Sequence, residues 1–87
     1  MTLTELRYAV ALAETRHFGG AASACFISQP TLSIAVKRLE ATLAVTLFER
    51  GSAEVTLTEA DERLIPQARR VLEEAVALKA MAGTLNN

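Results

Sequence analysis

The stretch that decides the fold is residues 27–40, ISQPTLSIAVKRLE, because it combines a helix start, an apolar stripe and a separate polar face. Its apolar side chains recur at spacings of four, three and four, which places them on one side of a helix: Leu32, Val36, Leu39 and Leu43. Ser28 suits the helix N-cap, and Pro30 in the first turn loses no hydrogen bond. The opposite face is polar or small and gains a cation at Lys37, so it could lie in a DNA major groove. On this stretch alone, an ordinary amphipathic surface helix is the simpler interpretation.

Composition limits the chain to one small domain. The sequence has 87 residues, of which 51% are hydrophobic but only 5% aromatic, so the core must be built from aliphatic side chains and alanine. No apolar run approaches the roughly 20 residues of a membrane span, and no signal peptide precedes the first helix. We therefore expect a cytoplasmic protein that does not contact a membrane.

The sequence offers little for catalysis or cofactor binding. The single cysteine, Cys25, excludes an internal disulfide and lies in a small-residue context typical of a buried hydrophobe. The single histidine, His17, has no partner at metal-ligand spacing. There is no Gly-rich phosphate loop and no nucleophile beside a base, so we expect no enzyme activity, no cofactor and no metal site.

The charge balance is unusual for a nucleic-acid binder. The net charge is −1, and residues 1–56 hold five cations and five acids, so that part is neutral. A DNA-binding domain is normally basic. Any affinity for DNA must therefore depend on where the few cations lie.

The first half of the chain predicts a helix-turn-helix. Thr2 and Glu5 match a capping box, so a first helix should span residues 3–16. Two glycines interrupt the pattern before a short second helix at residues 19–25, and a tight turn leads into the third helix. The first helix is expected to use Leu3, Leu6, Val10 and Ala13 as its core stripe, which leaves Tyr8, Ala9, Ala11 and Leu12 as a second apolar side. That second side suggests a partner chain.

The second half predicts a wing and a dimerisation helix. Two apolar, β-branched runs at residues 44–50 and 55–58 flank a Gly/Ser turn, which indicates a short hairpin whose tip carries Glu54. A long helix should follow over residues 59–82, bent by Pro66 and stopped by Gly83. Its apolar residues alternate at spacings of four and three, the period of a coiled-coil seam: Leu64, Ala68, Val71, Ala75, Leu78 and Ala82. Such a small domain cannot cover this helix alone, so we expect a homodimer.

These elements define the predicted fold as mainly α, a winged helix-turn-helix with a three-helix core and a short β-hairpin wing, followed by a long linker helix. We divide the chain into a DNA-binding domain at residues 1–58, a dimerisation helix at 59–82 and the start of a hinge at 83–87.

The order of elements and several short sequence words resemble the N-terminal DNA-binding domain of LysR-type transcriptional regulators. The words are HFGGAA at 17–22, SQPTLS at 28–33, LE at 39–40, LFER at 47–50 and LT at 57–58. The resemblance covers nearly the whole chain and is specific in combination. The wording at residues 1–8 and the full SQPTLS run are most similar to the peroxide-responsive, OxyR-like branch.

The resemblance implies specific roles for residues. Positions matching the DNA contacts of the family are Gln29, Pro30, Thr31, Ser33, Lys37 and Arg50. The backbone around Phe18 and Gly19 would face a phosphate, and Ser28 and Ile34 are also expected to lie at the DNA. The dimer interface would combine the first and last helices: Tyr8, Leu12, Leu64, Ala68, Val71, Ala75, Leu78 and Ala82. The resemblance also implies a missing effector domain, tetramers at full length, and sensing of a small molecule or redox signal only through that missing domain.

Some positions depart from the family pattern. Ala44 stands where glycine usually ends the third helix, which would cost about 1–2 kcal/mol if that site is left-handed. Gly20 and the wing residues 52–54 lack cations that are often present, and Asp61 replaces a frequent glycine, a change expected to be harmless at a helix start. These differences keep a second hypothesis open, a winged-helix protein-interaction module with little affinity for DNA. A small enzyme is a third, weaker alternative.

Overall fold

A computed structural model describes residues 1–51 and 54–86. Four helices and a two-stranded hairpin follow one another in the order expected of a winged helix-turn-helix with a long final helix. The bounds are α1 Leu3–Thr15, α2 Phe18–Ala24, α3 Gln29–Leu43, β1 Phe48–Arg50, β2 Val55–Leu57 and α4 Glu59–Leu85. The predicted fold class is therefore confirmed.

The local signals at helix starts act as expected. The Thr2 hydroxyl accepts from the Glu5 amide at 3.0 Å, and the Glu5 carboxylate accepts from the Thr2 amide at 3.1 Å, which completes the capping box of α1. Ser28 caps α3 by accepting from the Thr31 amide at 3.3 Å. Thr58 caps α4 by accepting from the Asp61 amide at 3.2 Å. A side-chain cap therefore satisfies one first-turn amide in each of the three long helices.

The turn between α2 and α3 is closed by backbone hydrogen bonds. Ile27 N–H donates to the Ala22 carbonyl at 3.0 Å, and Phe26 takes a left-handed conformation with φ of 58°. Ala21 and Ala22 are buried, and they hold α2 close to the core. Cys25, expected to be buried, is half-buried just beyond the end of α2.

The wing is joined to α3 through a side chain. The Glu40 carboxylate accepts from the amides of Leu47 and Phe48 at 2.7 and 3.3 Å, which fixes the chain as it enters β1. β1 and β2 pair antiparallel, with Glu49 opposite Thr56. The strands are shorter than the runs predicted at 44–50 and 55–58, because Ala44 caps α3 and Thr58 caps α4. The predicted tip at 52–53 lies outside the described residues.

The long helix α4 continues further than predicted. It runs to Leu85, and Asn86 rather than Gly83 ends it. An added Cβ at Gly83 would meet no atom within 4 Å, so this glycine lies in open helix, where it costs about 1 kcal/mol relative to alanine without forcing a stop. The predicted stop at Gly83 is wrong, whereas the hinge predicted over residues 83–87 stays a prediction. The bend at Pro66 stays a prediction.

The core corrects the prediction for α1. Leu6, Ala9 and Leu12 are buried, whereas Leu3 is 47% exposed. The reason is that α2, α3 and α4 all pack against α1, so its supposedly outer side faces the interior. Leu12 has no exposed surface and cannot contact a partner chain without unfolding the core. Its predicted place in the dimer interface is therefore wrong. Ala68 keeps 8% exposure in the single chain, and its predicted place in the interface stays a prediction.

Candidate nucleic-acid interface

The outer face of α3 is open to solvent, as predicted. Gln29, Pro30, Thr31 and Lys37 are exposed, and Ile34 is 53% exposed. The opposite side of the helix carries the buried residues Leu32, Val36 and Leu39. One helix therefore anchors itself in the core with one face and presents amide, hydroxyl and ammonium groups with the other.

The start of α3 lies against α2 where the sequence has glycine. A Cβ added to Gly19 would come within 3.1 Å of the Gln29 Nε2 atom. The absence of a side chain at Gly19 therefore leaves room for the Gln29 amide beside α2. Gln29 is also the first residue of α3, the part of a recognition helix that meets base edges in a major groove.

The side chain of Arg50 extends from the end of β1 toward both helices of the helix-turn-helix. Its guanidinium carbon lies 4.3 Å from the centroid of the Phe18 ring, and its Nη2 donates to the Ser33 hydroxyl at 2.9 Å. Together with Gln29 and Pro30, these three side chains line one open cleft. The cleft has the amide, hydroxyl and guanidinium donors that phosphate and base acceptors require.

A second, acidic feature borders this cleft on the wing side. Glu54 lies 3.8 Å from His17 Nε2, and both side chains are more than half exposed. The amide of Val55 donates to the Arg16 carbonyl at 2.8 Å, so the second strand of the wing is fastened to the end of α1. Glu54 therefore lies at the edge of the cleft as a charge of the wrong sign for a phosphate.

The structure places the predicted DNA-binding residues in different surroundings. Phe18, Gln29, Pro30, Ser33 and Arg50 share one cleft, and Thr31 and Ile34 line a neighbouring groove with the start of α1. The Ser28 hydroxyl is already engaged in capping α3. Sequence reasoning missed the contact of Phe18 with Arg50, the tie between Glu40 and the wing, and the approach of Glu54 to His17. No spacing in the sequence signals these long-range contacts.

The predicted dimer surface divides into covered and uncovered parts. Leu64 is 36% exposed, and Tyr8, Val71 and Ala75 are half-buried. Beyond them every described side chain of α4 is exposed, including the predicted Leu78 and Ala82. Large apolar side chains dominate this open segment: Val76 at 71% exposure, Leu78 at 70%, Met81 at 66% and Leu85 at 86%. An apolar cavity also opens beside α4, between Met1, Leu43 and Leu64.

One buried carboxyl group, that of Asp61, lies in the first turn of α4. Asp61 is 1% exposed, and its Oδ2 atom has no hydrogen-bond partner in the described part of the chain. Burial raises the pKa of Asp61 from 3.8 to about 6; Glu62 adds to the rise, and Arg16 and Arg69 oppose it. The expectation that aspartate is harmless at this helix start is therefore wrong, because the side chain points inward rather than into solvent.

Residues 1–51 and 54–86 contain neither a helix suited to span a membrane nor a cluster suited to bind a metal ion. No described helix has both the length and the apolar character needed to cross a membrane. No three His, Cys, Asp or Glu side chains of these residues lie together in a way that could hold a metal ion.

The fold and the exposed face of α3 define a winged helix-turn-helix DNA-binding domain, and residues 3–62 match the family of bacterial regulatory helix-turn-helix proteins of the LysR type. The chain belongs to this family.

Within the family, the chain is similar to regulators of the peroxide response. It is 51% identical over 82 residues to the DNA-binding transcriptional dual regulator OxyR of Escherichia coli K12, a match covering 94% of this chain and 27% of that protein. It superposes on full-length OxyR C199D from Pseudomonas aeruginosa with a TM-score of 0.94 and 50% identity, covering 100% of this chain and 30% of that one. The CbnR DNA-binding domain in complex with DNA gives a TM-score of 0.95 at 32% identity, with each chain covered completely.

The chain thus spans just over a quarter of the length of the E. coli regulator. The expected OxyR-like resemblance is confirmed for the DNA-binding domain, which is the part that the two proteins share.

Proposed function

We propose that this domain binds DNA as a homodimer, with two copies of α3 in successive major grooves of a palindromic site. The observation that carries the proposal is the open polar face of α3 beside the Arg50 guanidinium. Similarity to a LysR-type domain solved in complex with DNA supports it. The half-sites would lie about 34 Å apart or a multiple of that distance, one helical turn of DNA.

The exposed residues divide into base readers and backbone contacts. Gln29 would read a base edge, with adenine the favoured partner of a bidentate amide, and Thr31 and Ser33 would contact bases or thymine methyl groups. Lys37, Arg50 and the backbone amides near Phe18 and Gly19 would contact phosphates. Pro30 and Ile34 would add apolar contacts, while Ser28 would act through the helix start that it caps.

The homodimer is proposed from the open half of α4. Its large apolar side chains are mostly exposed in the single chain, and burying them against a second copy removes them from water. Two such helices side by side would hold the two winged helix-turn-helix domains (the heads, residues 1–58) at a fixed distance and angle, as a palindromic site requires. The proposed surface is Tyr8, Leu64, Ala68, Val71, Ala75, Leu78 and Ala82, extended by Val76, Met81 and Leu85.

The salt dependence of binding tests the mechanism. We expect two to four charged phosphate contacts per head. The logarithm of the association constant should then fall with the logarithm of the salt concentration at a slope of about −4 to −7 per dimer. The measurement is a fluorescence-anisotropy titration of a palindromic duplex, selected from genomic fragments by the purified domain, at several salt concentrations. A slope near zero would contradict binding through phosphates.

Substitution of Gln29 tests the base readout. Gln29→Ala should cost about 1–3 kcal/mol on the selected site and relax the preference at one base position, because the amide is lost while the phosphate contacts remain. Lys37→Ala is the matched control, since it should weaken specific and random duplexes about equally and make the salt slope shallower. An equal loss on both duplexes with Gln29→Ala would rule out a reading role.

A protein-interaction module is the alternative, and one observation favours it. Glu54 stands beside the cleft where a cation would help DNA binding, and the described wing offers no charge of the opposite sign beyond Arg50. A module of this kind would leave both random and genomic DNA unshifted in a mobility-shift titration. Binding to either duplex therefore decides between the two functions.

We further propose that the complete protein is a cytoplasmic transcriptional regulator without enzyme activity. An effector domain following this one would bring tetramer formation and sensing of a small molecule or of peroxide, by similarity to the regulators that it matches. Cys25, half-buried at the end of α2, would have no part in sensing.

A further inference from the structure

We infer that Phe18 and Ser33 are positioning residues, which hold the Arg50 guanidinium in its phosphate-binding orientation before DNA arrives. This inference rests on the proposed DNA-binding function and assigns to Phe18 a task that its place at the start of α2 does not reveal. Neither residue needs to touch a phosphate for the inference to hold. Both act through Arg50.

The guanidinium is fixed at two points by different elements. Phe18 of α2 lies beneath it, 4.3 Å from ring centroid to guanidinium carbon, and Ser33 of α3 accepts from its Nη2 at 2.9 Å. The cation–π contact fixes the position of the guanidinium over the ring, and the hydrogen bond limits how the group can turn there. A long side chain on a three-residue strand thereby gains a single orientation, and less freedom remains to be lost on binding.

Both partners of Arg50 are neutral. A carboxylate in their place would orient the guanidinium too, but it would cancel the charge that attracts a phosphate. Neither of the two ion pairs formed by the described residues includes Arg50. The nearby Glu40 carboxylate is occupied by the amides of Leu47 and Phe48. The full positive charge and four of the five N–H donors of Arg50 therefore remain for a ligand.

Phe18 and Ser33 are themselves fixed in place by the elements that carry them. Phe18 is half-buried and packs against the hydrophobic core, so its ring is a stable platform. Ser33 is half-buried on α3, one position after the buried Leu32. Because the Ser33 oxygen accepts from Arg50, its own O–H stays available as a donor. One residue can thus join the phosphate anchor on the wing to the reading face of α3.

A double-mutant cycle on DNA binding tests the inference. A random-sequence duplex at low salt is the probe, because phosphate contacts do not depend on sequence. Phe18→Leu, which keeps apolar bulk but removes the aromatic face, should weaken binding about three- to tenfold. Arg50→Ala should weaken it at least as much, and the double variant should bind no more weakly than Arg50→Ala alone. Additive losses in the double variant would overturn the inference.

Matched variants separate positioning from folding. Phe18→Tyr keeps the aromatic face and should bind within about twofold of the unaltered chain. Ser33→Ala removes the hydrogen bond from a half-buried position and should weaken binding about two- to fivefold. Circular dichroism melting of each variant checks that the fold is retained. A tyrosine variant as weak as the leucine variant would contradict the role of the ring face.

Nuclear magnetic resonance of the DNA-free protein gives a readout independent of binding. The Arg50 Nε–Hε signal should carry a ring-current shift that Phe18→Leu abolishes and Ser33→Ala reduces. A signal with no ring-current shift, or one unchanged by Phe18→Leu, would overturn the inference without reference to DNA. If the shift is present but the unaltered chain binds no DNA, the proposed function and the phosphate role both fail, whereas the contact itself survives.

Discussion

The two halves of α4 have the same apolar spacing but opposite surroundings. In the first half, Ile65 is 5% exposed and belongs to the hydrophobic core, whereas in the second half Leu78 is 70% exposed and lies outside that core. The difference shows that a periodic apolar pattern identifies a face to be covered without saying which molecule covers it. Its own chain covers most of the first half, and we propose that a second copy covers the other half.

The largest expected effect is a loss of core packing in the first half. Ile65→Ala should lower the free energy of unfolding by about 2–4 kcal/mol, since a fully buried side chain is removed and a cavity is left. Urea unfolding followed by circular dichroism measures the loss. It should be the same at low and high protein concentration; a loss that disappears on dilution would mean that Ile65 belongs to an interface between chains.

The next effect belongs to the second half. Leu78→Ala should raise the dimer dissociation constant roughly 10- to 100-fold, because each dimer would lose two buried leucine side chains. Sedimentation velocity over a range of concentrations measures the constant. Lys79→Ala is the control, as the adjacent exposed residue lies outside the predicted seam. A dissociation constant unaffected by Leu78→Ala would show that this half of α4 meets something other than its own copy.

The first half of α4 also contains the buried carboxyl group of Asp61, and the effect of pH on this group tests how tightly that half is packed. A pKa raised from 3.8 to about 6 means that folding favours protonated Asp61. Burying the ionised carboxylate lowers the free energy of unfolding. This loss is absent below about pH 4, grows as the pH rises to about 6 and is complete above it, where it is on the order of 3 kcal/mol. Asp61→Asn, which keeps the shape but not the charge, should gain about 1–2 kcal/mol of unfolding free energy at pH 7.5 and little at pH 4.

Urea unfolding at both pH values checks the Asp61 prediction. Glu59→Gln, an exposed change in the same first turn, is the control and should show no comparable gain. An Asp61→Asn variant whose advantage is equal at the two pH values would mean that the charge is not the cause.

The smallest effect concerns the junction of α3 with the wing. Ala44 is left-handed, with φ of 56° and ψ of 38°, a conformation in which glycine is not penalised. Ala44→Gly should therefore stabilise the domain by about 1 kcal/mol without changing the dimer dissociation constant. Thermal melting detects the gain. An unchanged or lower melting temperature would show that the Ala44 methyl group contributes packing that outweighs the strain.

The local features of this fold could be predicted from the sequence. Which face of each helix is buried by other elements could not. Thr2, Ser28 and the stripe from Leu32 to Leu39 each depend on neighbours within one or two turns, and the structure confirms them. Leu12 was misplaced because α1 is apolar on two sides, and composition alone does not show that three other helices surround it. Asp61 was misjudged for the same reason, since its direction depends on how α4 meets α1.

The candidate site follows the same division. Each exposed residue on the outer face of α3 could be predicted from helical periodicity, because exposure is the complement of a buried stripe. The contacts of Arg50 with Phe18 and Ser33 could not, because they join three elements across 32 and 17 positions of sequence. Only the folded chain brings them together.

The neutral head has a consequence for how such a domain would locate its target. Five cations balanced by five acids over residues 1–56 give the head little general attraction to the DNA backbone. Residence on arbitrary sequence would be brief, and one-dimensional sliding would be short. Search would then proceed mainly by repeated collisions from solution rather than by movement along the duplex.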